Sequence, residues 1–140
     1  VKELLEGIQV MFDGSGTVAG ELTGGCWPSY AAQGKTLPYM TVDVGQSTVL
    51  ETMGTGSHPI EIIPVTMSLW IGVKTDETNQ MALGTILGYR KDVEILFDDC
   101  AMTITGYHLL RFGRTGHGYE AVGDQGWRAT ITYSVMLEET

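Results

Sequence analysis

Cysteine is scarce: the 140-residue chain holds two, Cys26 and Cys100, with no Cys-x-x-Cys spacing. Neither a disulfide framework nor a zinc ribbon is indicated, and two reduced thiols are expected. Basic residues are scarce as well. Eight Lys and Arg stand against 17 Asp and Glu, for a net charge of −9, which argues against a large phosphate-neutralising surface and against tight non-specific DNA binding. No stretch reaches the ~20 apolar residues of a membrane span. The opening Val1-Lys2-Glu3-Leu4-Leu5-Glu6 puts acids where an export signal needs an unbroken apolar run, so neither export nor anchoring is expected. The three histidines, His58, His108 and His117, show no His-x-x-x-His spacing and no Glu at metalloprotease distance. No metal and no cofactor are expected.

What is present is apolar content for one core and an excess of glycine, 19 residues with only 4 prolines. The length suits a single domain spanning residues 1–140. Residues 1–12 carry Val1, Leu4, Leu5, Ile8, Met11 and Phe12 at steps of three and four, which predicts a short amphipathic helix. Asp13-Gly14-Ser15-Gly16 stops it, and glycines and Pro28 predict an irregular stretch through Pro38. A connection that long signals function or hidden structure. Alternation over Tyr39–Val44 and Ile60–Val73 predicts two strands joined by a long tip. Pro64, which has no amide proton, places an edge or a bulge near the start of the second.

Thr75–Thr78 offers a cap for a helix over 76–97. Gly84 and Gly88 share one stripe of that helix, a spacing that predicts close approach of another backbone. Asp98-Asp99 ends the helix as a solvated terminus. Met102–Phe112 is expected as a strand, Gly113–Gly126 as a glycine-rich loop, and Trp127–Glu138 as a strand with Trp127, Ala129, Ile131, Tyr133, Val135 and Leu137 inward. Strands grouped around one long helix give an α+β class: an antiparallel β-sheet packed by that helix, with an N-terminal helix and long Gly-rich loops.

Two motif matches fail on context. Gly14-Ser15-Gly16-Thr17-Val18-Ala19 fits G-x-G-x-x-A but follows a helix instead of a strand. Gly34-Lys35-Thr36 imitates the end of a phosphate-binding loop, with Ser29 where the first glycine belongs and Pro38 blocking a helix. A catalytic centre is therefore not indicated. The candidate interface residues are the loop aromatics Trp27, Tyr30 and Tyr119, a residue class that anchors protein contacts, together with Arg111, Arg114 and His117 from the late basic segment.

The N-terminal helix, Leu37-Pro38-Tyr39-Met40-Thr41-Val42, the strand Ile62–Gly72, the helix of small and aliphatic residues, Leu109-Leu110-Arg111-Phe112 and the closing strand Trp127–Leu137 follow one another in a familiar order. That succession resembles the tail-completion (tail-terminator) proteins of long-tailed phages and related gene-transfer particles, over nearly the whole chain. The resemblance implies a ring, typically hexameric, that terminates the tail tube and joins it to the head's neck. Its implied partners are further copies of itself, the tail tube protein and the head-closure protein, with DNA passing through the lumen without specific binding and no membrane. The implied place is the virion, after assembly in the host cytoplasm. A head-closure (stopper) protein of the same neck is the neighbouring alternative. A different class would be a small-ligand-binding or enzymatic α+β domain using His108, His117 and Asp124.

Overall fold

The computed structural model describes residues 2–29, 34–50, 59–72, 78–123 and 126–140. The apolar steps at the N-terminus form helix α1, Lys2–Gly14, which buries Leu4, Ile8 and Phe12. Gly7 lies on the same side because a Cβ there would meet the Met102 sulfur at 2.9 Å. The segment expected to be irregular contains further structure. Ser15 restarts the helix it was expected to stop: its Oγ accepts from the Val18 amide at 3.2 Å and caps α2, Gly16–Glu21. Strand β1, Cys26–Pro28, follows. Gly24 leads into it where the chain passes residues 36–38; its amide donates to the Pro38 carbonyl at 2.7 Å, and a Cβ would sit 1.7 Å from the Thr36 oxygen.

The remaining strands are β2 (Tyr39–Val44), β3 (Thr48–Leu50), β4 (Ile60–Gly72), β5 (Tyr107–Ala121) and β6 (Gly126–Glu139). They form one sheet in the order β1-β2-β4-β6-β5, with β3 continuing the β2 side of β4. All pairs are antiparallel except β1 with β2. β4 is thus internal and pairs with β6 without a register shift, neither the edge nor the bulge that Pro64 suggested. The Pro64 carbonyl accepts from the Gly45 amide at 2.8 Å, and a residue's C=O and N point to the same side of a strand. The missing donor therefore faces the break between β2 and β3, where it leaves no ladder bond unmade.

Helix α3, Asn79–Phe97, begins at Thr78, whose hydroxyl accepts from the Met81 amide at 3.2 Å; Thr75–Glu77 of the expected cap lie outside the described residues. It buries Ala82, Ile86, Val93 and Phe97. Gly84 and Gly88 do not meet another backbone as expected: both face open space, with nothing within 4 Å of an added Cβ. Gly84→Ala and Gly88→Ala are each expected to stabilise the chain by about 1 kcal/mol through helix propensity alone, measured as a rise in the urea midpoint. Destabilisation would show that this face of α3 is in use.

The C-terminal half departs most from the expectation. Met102 does not open a strand; Ile104 and Tyr107 close a turn through Gly106 at φ +84°, and β5 starts at Tyr107. It then runs through the glycines expected to form a loop, because β6 offers a complete partner from Trp127 to Glu139 and pairing overrides glycine's weak strand preference. Buried side chains of α1, α2 and α3 meet the inward residues of β2, β4, β5 and β6 in one cluster, with Phe112 stacked on Phe97 at 5.8 Å and tilted against Tyr133 at 4.8 Å between ring centres. The class is α+β, with helices on one sheet face.

Candidate functional site

The densest polar site lies between α3 and β5 and is organised by Glu94, which is only 9% exposed. Arg90 stands one turn before it, with its Nε 3.5 Å from Oε1, and donates through Nη1 to the Gly118 carbonyl at 3.2 Å. From β5, Arg114 hydrogen-bonds and ion-pairs with Oε2, and His117 Nδ1 lies 2.7 Å from Oε1. Arg114 also reaches Asp98 Oδ2 at 3.5 Å, and the Tyr133 hydroxyl donates to Asp98 Oδ1 at 3.0 Å.

A β-bulge assembles this set. Arg114 and His117 are three residues apart, a separation that puts side chains of a regular strand on opposite faces. The irregularity between Arg114 and Gly116 absorbs one residue, so Arg114 opposite Tyr133 and His117 opposite Ile131 both face α3. Burial pushes the Glu94 pKa up, but hydrogen bonds from His117 and Arg114, with the guanidinium charge, outweigh it and hold the carboxyl below its ordinary range. Asp98, expected as a solvated helix end, is instead tied to Tyr133 and Arg114. The cluster balances its charges internally and works as a clamp between helix and strand.

A second carboxylate contact joins α2 to α3. Burial of Glu21 and its hydrogen bond to Asp92 raise its pKa from 4.5 to about 7. An acid with a raised folded pKa holds its proton in the native state while the unfolded chain has released it, so its contribution is complete below pH 4.5 and fades as pH rises through about 7. Glu21→Gln is expected to leave thermal stability unchanged at pH 5 and raise it at pH 8, by scanning calorimetry. Equal effects at both pH values would refute the shared proton.

The other candidate residues lie apart. The Trp27 indole donates to the Gly24 carbonyl at 2.6 Å and carries the Lys35 ammonium 3.8 Å from its ring centre. Tyr119 is 54% exposed and packs edge-on to Trp127 at 6.1 Å. Arg111 is exposed and folds over Gly113, where a Cβ would come within 2.7 Å of its Nε. Tyr30 lies outside the described residues, as does Asp124. His108 pairs across from Glu138 on the sheet face away from the helices, opposite to His117, so the two histidines do not converge. Burial pushes the Cys26 thiol up to about 12 and Cys100 to about 11, well away from nucleophilic thiolates. Among the described residues no three His, Cys, Asp or Glu are grouped to hold a metal ion, and no helix is long and apolar enough to cross a membrane.

Glu94 and Arg90 were not read as site residues in the sequence, where the only signal was their four-residue spacing on a helix, and Asp98 was read only as a solvated helix end. The fold is similar to that of a chain in a solved structure described as the virion of a native gene transfer agent (GTA) particle. The TM-score is 0.72 over 96% of this chain and 94% of that one, at 11% sequence identity, a likeness of fold. No protein-family model matches the sequence, and no curated protein matches it.

Proposed function

We propose that this chain is a structural component of a phage-like or gene-transfer virion, and within it the tail-completion protein. Copies form a ring, of six in the family it resembles, that ends the tail tube and joins it to the neck of the head. The observation that carries the reading is the fold likeness to a chain of a gene transfer agent virion over 96% of this chain, which agrees with the element order the sequence shares with tail-completion proteins.

The chemistry is consistent with that role. The polar groups that converge, Glu94 with Arg114, His117 and Arg90, satisfy one another and brace α3 against the sheet. The sheet face turned away from the helices carries the row Asp43, Thr66, Thr132 and Gly116, with Asp43 exposed and Thr41 and Ser68 of the neighbouring row buried. With a net charge of −9 per copy, such a wall does not grip phosphates, and DNA slides past it without counterion-releasing contacts. The work is done by shape and surface, with the tail tube protein on one side and the head-closure protein on the other.

Electron microscopy of the purified chain, alone and mixed with tail tubes, tests the reading. Rings, or tubes capped at one end, are expected. Monomers that leave tube ends bare under every assembly condition would overturn it. Cross-links to a portal-side adaptor, with none to tube protein, would replace it with the head-closure role.

A further inference from the structure

Helix α2 meets α3 through a pair of acids. Glu21, the last residue of α2, is hydrogen-bonded to Asp92 of α3, and its Oε2 is buried with no partner. Two carboxyl groups hydrogen-bond to each other only when one of them carries a proton, because an ionised carboxylate has nothing to donate. Three features keep that proton in the folded chain. An ionised Glu21 would leave a buried charged oxygen without a donor. It would also stand at a helix C-terminus, where the dipole opposes negative charge. And among the described residues no Lys, Arg or His forms an ion pair with either carboxyl.

The other charged groups on the two helices packed against α2 are engaged elsewhere or exposed. On α3, Arg90 and Glu94 belong to the clamp on β5, and Lys91 is exposed. On α1, Lys2 pairs with Glu6, Glu3 acts on Tyr107, and the exposed Asp13 acts on the Cys26 thiol. The helix itself is lightly tied. It has six residues and is anchored by Val18 and, at its cap, Leu22. The bonds that shape it, Ser15 to Phe12, Ala19 to Ser15 and Leu22 to Val18, all close within its own segment and none ties it to the sheet. Gly14 and Gly16 stand in open space on either side of the Ser15 cap, whereas Gly24 beyond the other end is fixed by the Pro38 carbonyl.

We infer that α2 is a proton-latched flap: it lies closed on α3 while the Glu21–Asp92 pair holds one proton, and comes away from α3, uncovering Val18 and Leu22, when both carboxyls are ionised. The open flap returns Glu21 to water and to its ordinary value of 4.5, while the closed flap holds it at about 7. Closing therefore takes up a proton. The latch is at full strength below pH 4.5 and weakens as pH rises through about 7, so the flap is shut in mildly acidic solution and loosened in mildly alkaline solution. Opening is local: α1, α3 and the sheet keep their own contacts, and only the segment between Ser15 and Gly24 moves. The device is a property of the single chain and does not depend on the virion reading.

Amide hydrogen exchange of the full chain at pH 5 and pH 8 tests the latch, with the amides of α1 as the internal reference that cancels the intrinsic pH dependence of exchange. The amides of Ala19, Gly20, Glu21 and Leu22 are expected to lose protection relative to α1 on the order of tenfold or more between the two pH values. Glu21→Gln and Asp92→Asn each replace the shared proton with a permanent neutral donor, and in both that relative loss is expected to vanish. Circular dichroism checks the fold of each variant, and the profile of the parent chain is a test without either of them. Relative protection of α2 that is the same at both pH values would overturn the latch. So would a loss that persists in both variants, or one shared by the amides of α3 and β6, which would mean global unfolding instead of a local release.

Discussion

Glu94→Ala is expected to lower stability at pH 7 by about 2–3 kcal/mol, measured as a shift in the urea midpoint at unchanged slope. Breaking a buried ion pair from one side leaves the partner charge unpaired and removes several kcal/mol; the lower part of that range applies because Arg114 and His117 also reach water. The loss has a pH signature. A carboxyl held below its ordinary value contributes above the unfolded value of 4.5 and loses that contribution as pH falls through its folded value. The gap between parent and variant therefore closes in acid. A difference below about 0.5 kcal/mol at pH 7 would mean that the cluster behaves as a surface ion pair, and that the clamp between α3 and β5 is held by the aromatic core alone.

Phe112→Ala is expected to remove about 3–5 kcal/mol, the range for deleting a buried phenyl ring with partial collapse of the cavity. Phe112 is buried between Phe97 on α3 and Tyr133 on β6, so its ring is what α3 and the sheet both close upon. Phe112→Leu keeps most of the volume and is expected to remove less than about 1.5 kcal/mol. Urea unfolding of both variants checks the pair. Equal losses would mean that ring shape, not filled volume, holds the layers together.

The elements most plainly written in the sequence are those whose apolar spacing has no competing signal. In β6, five of the six residues read as inward, Ala129, Ile131, Tyr133, Val135 and Leu137, are buried, and the sixth, Trp127, is half-buried. In α1, the steps from Leu4 to Phe12 define the buried face. β5 was not legible past Phe112, because glycines at 113, 116 and 118 carry no apolar pattern and acquire strand structure only from their partner on β6. α2 was hidden for a related reason: at six residues it is too short for periodicity to show, and only the Ser15 cap marks it. Pro64 was misread as an edge or a bulge because a sequence does not say which side of a strand its nitrogen faces.

The candidate site was half legible. Arg114 and His117 were singled out from the late basic segment, but as loop residues turned toward a partner. The bulge at Thr115 turns both toward Glu94, and a bulge is a property of pairing between two strands, not of either alone.

The residues by themselves determined the acidic character, the lack of local spacing for a metal or thiol centre, and the helices and strands whose faces are marked by apolar repeats. Those follow from composition and from side-chain direction along one segment. Only the tertiary structure decided the order in which the strands pair, where their ladders bulge, and which charges neutralise one another. Each of these depends on register between segments far apart in the chain, where a shift of one residue turns every side chain to the other face.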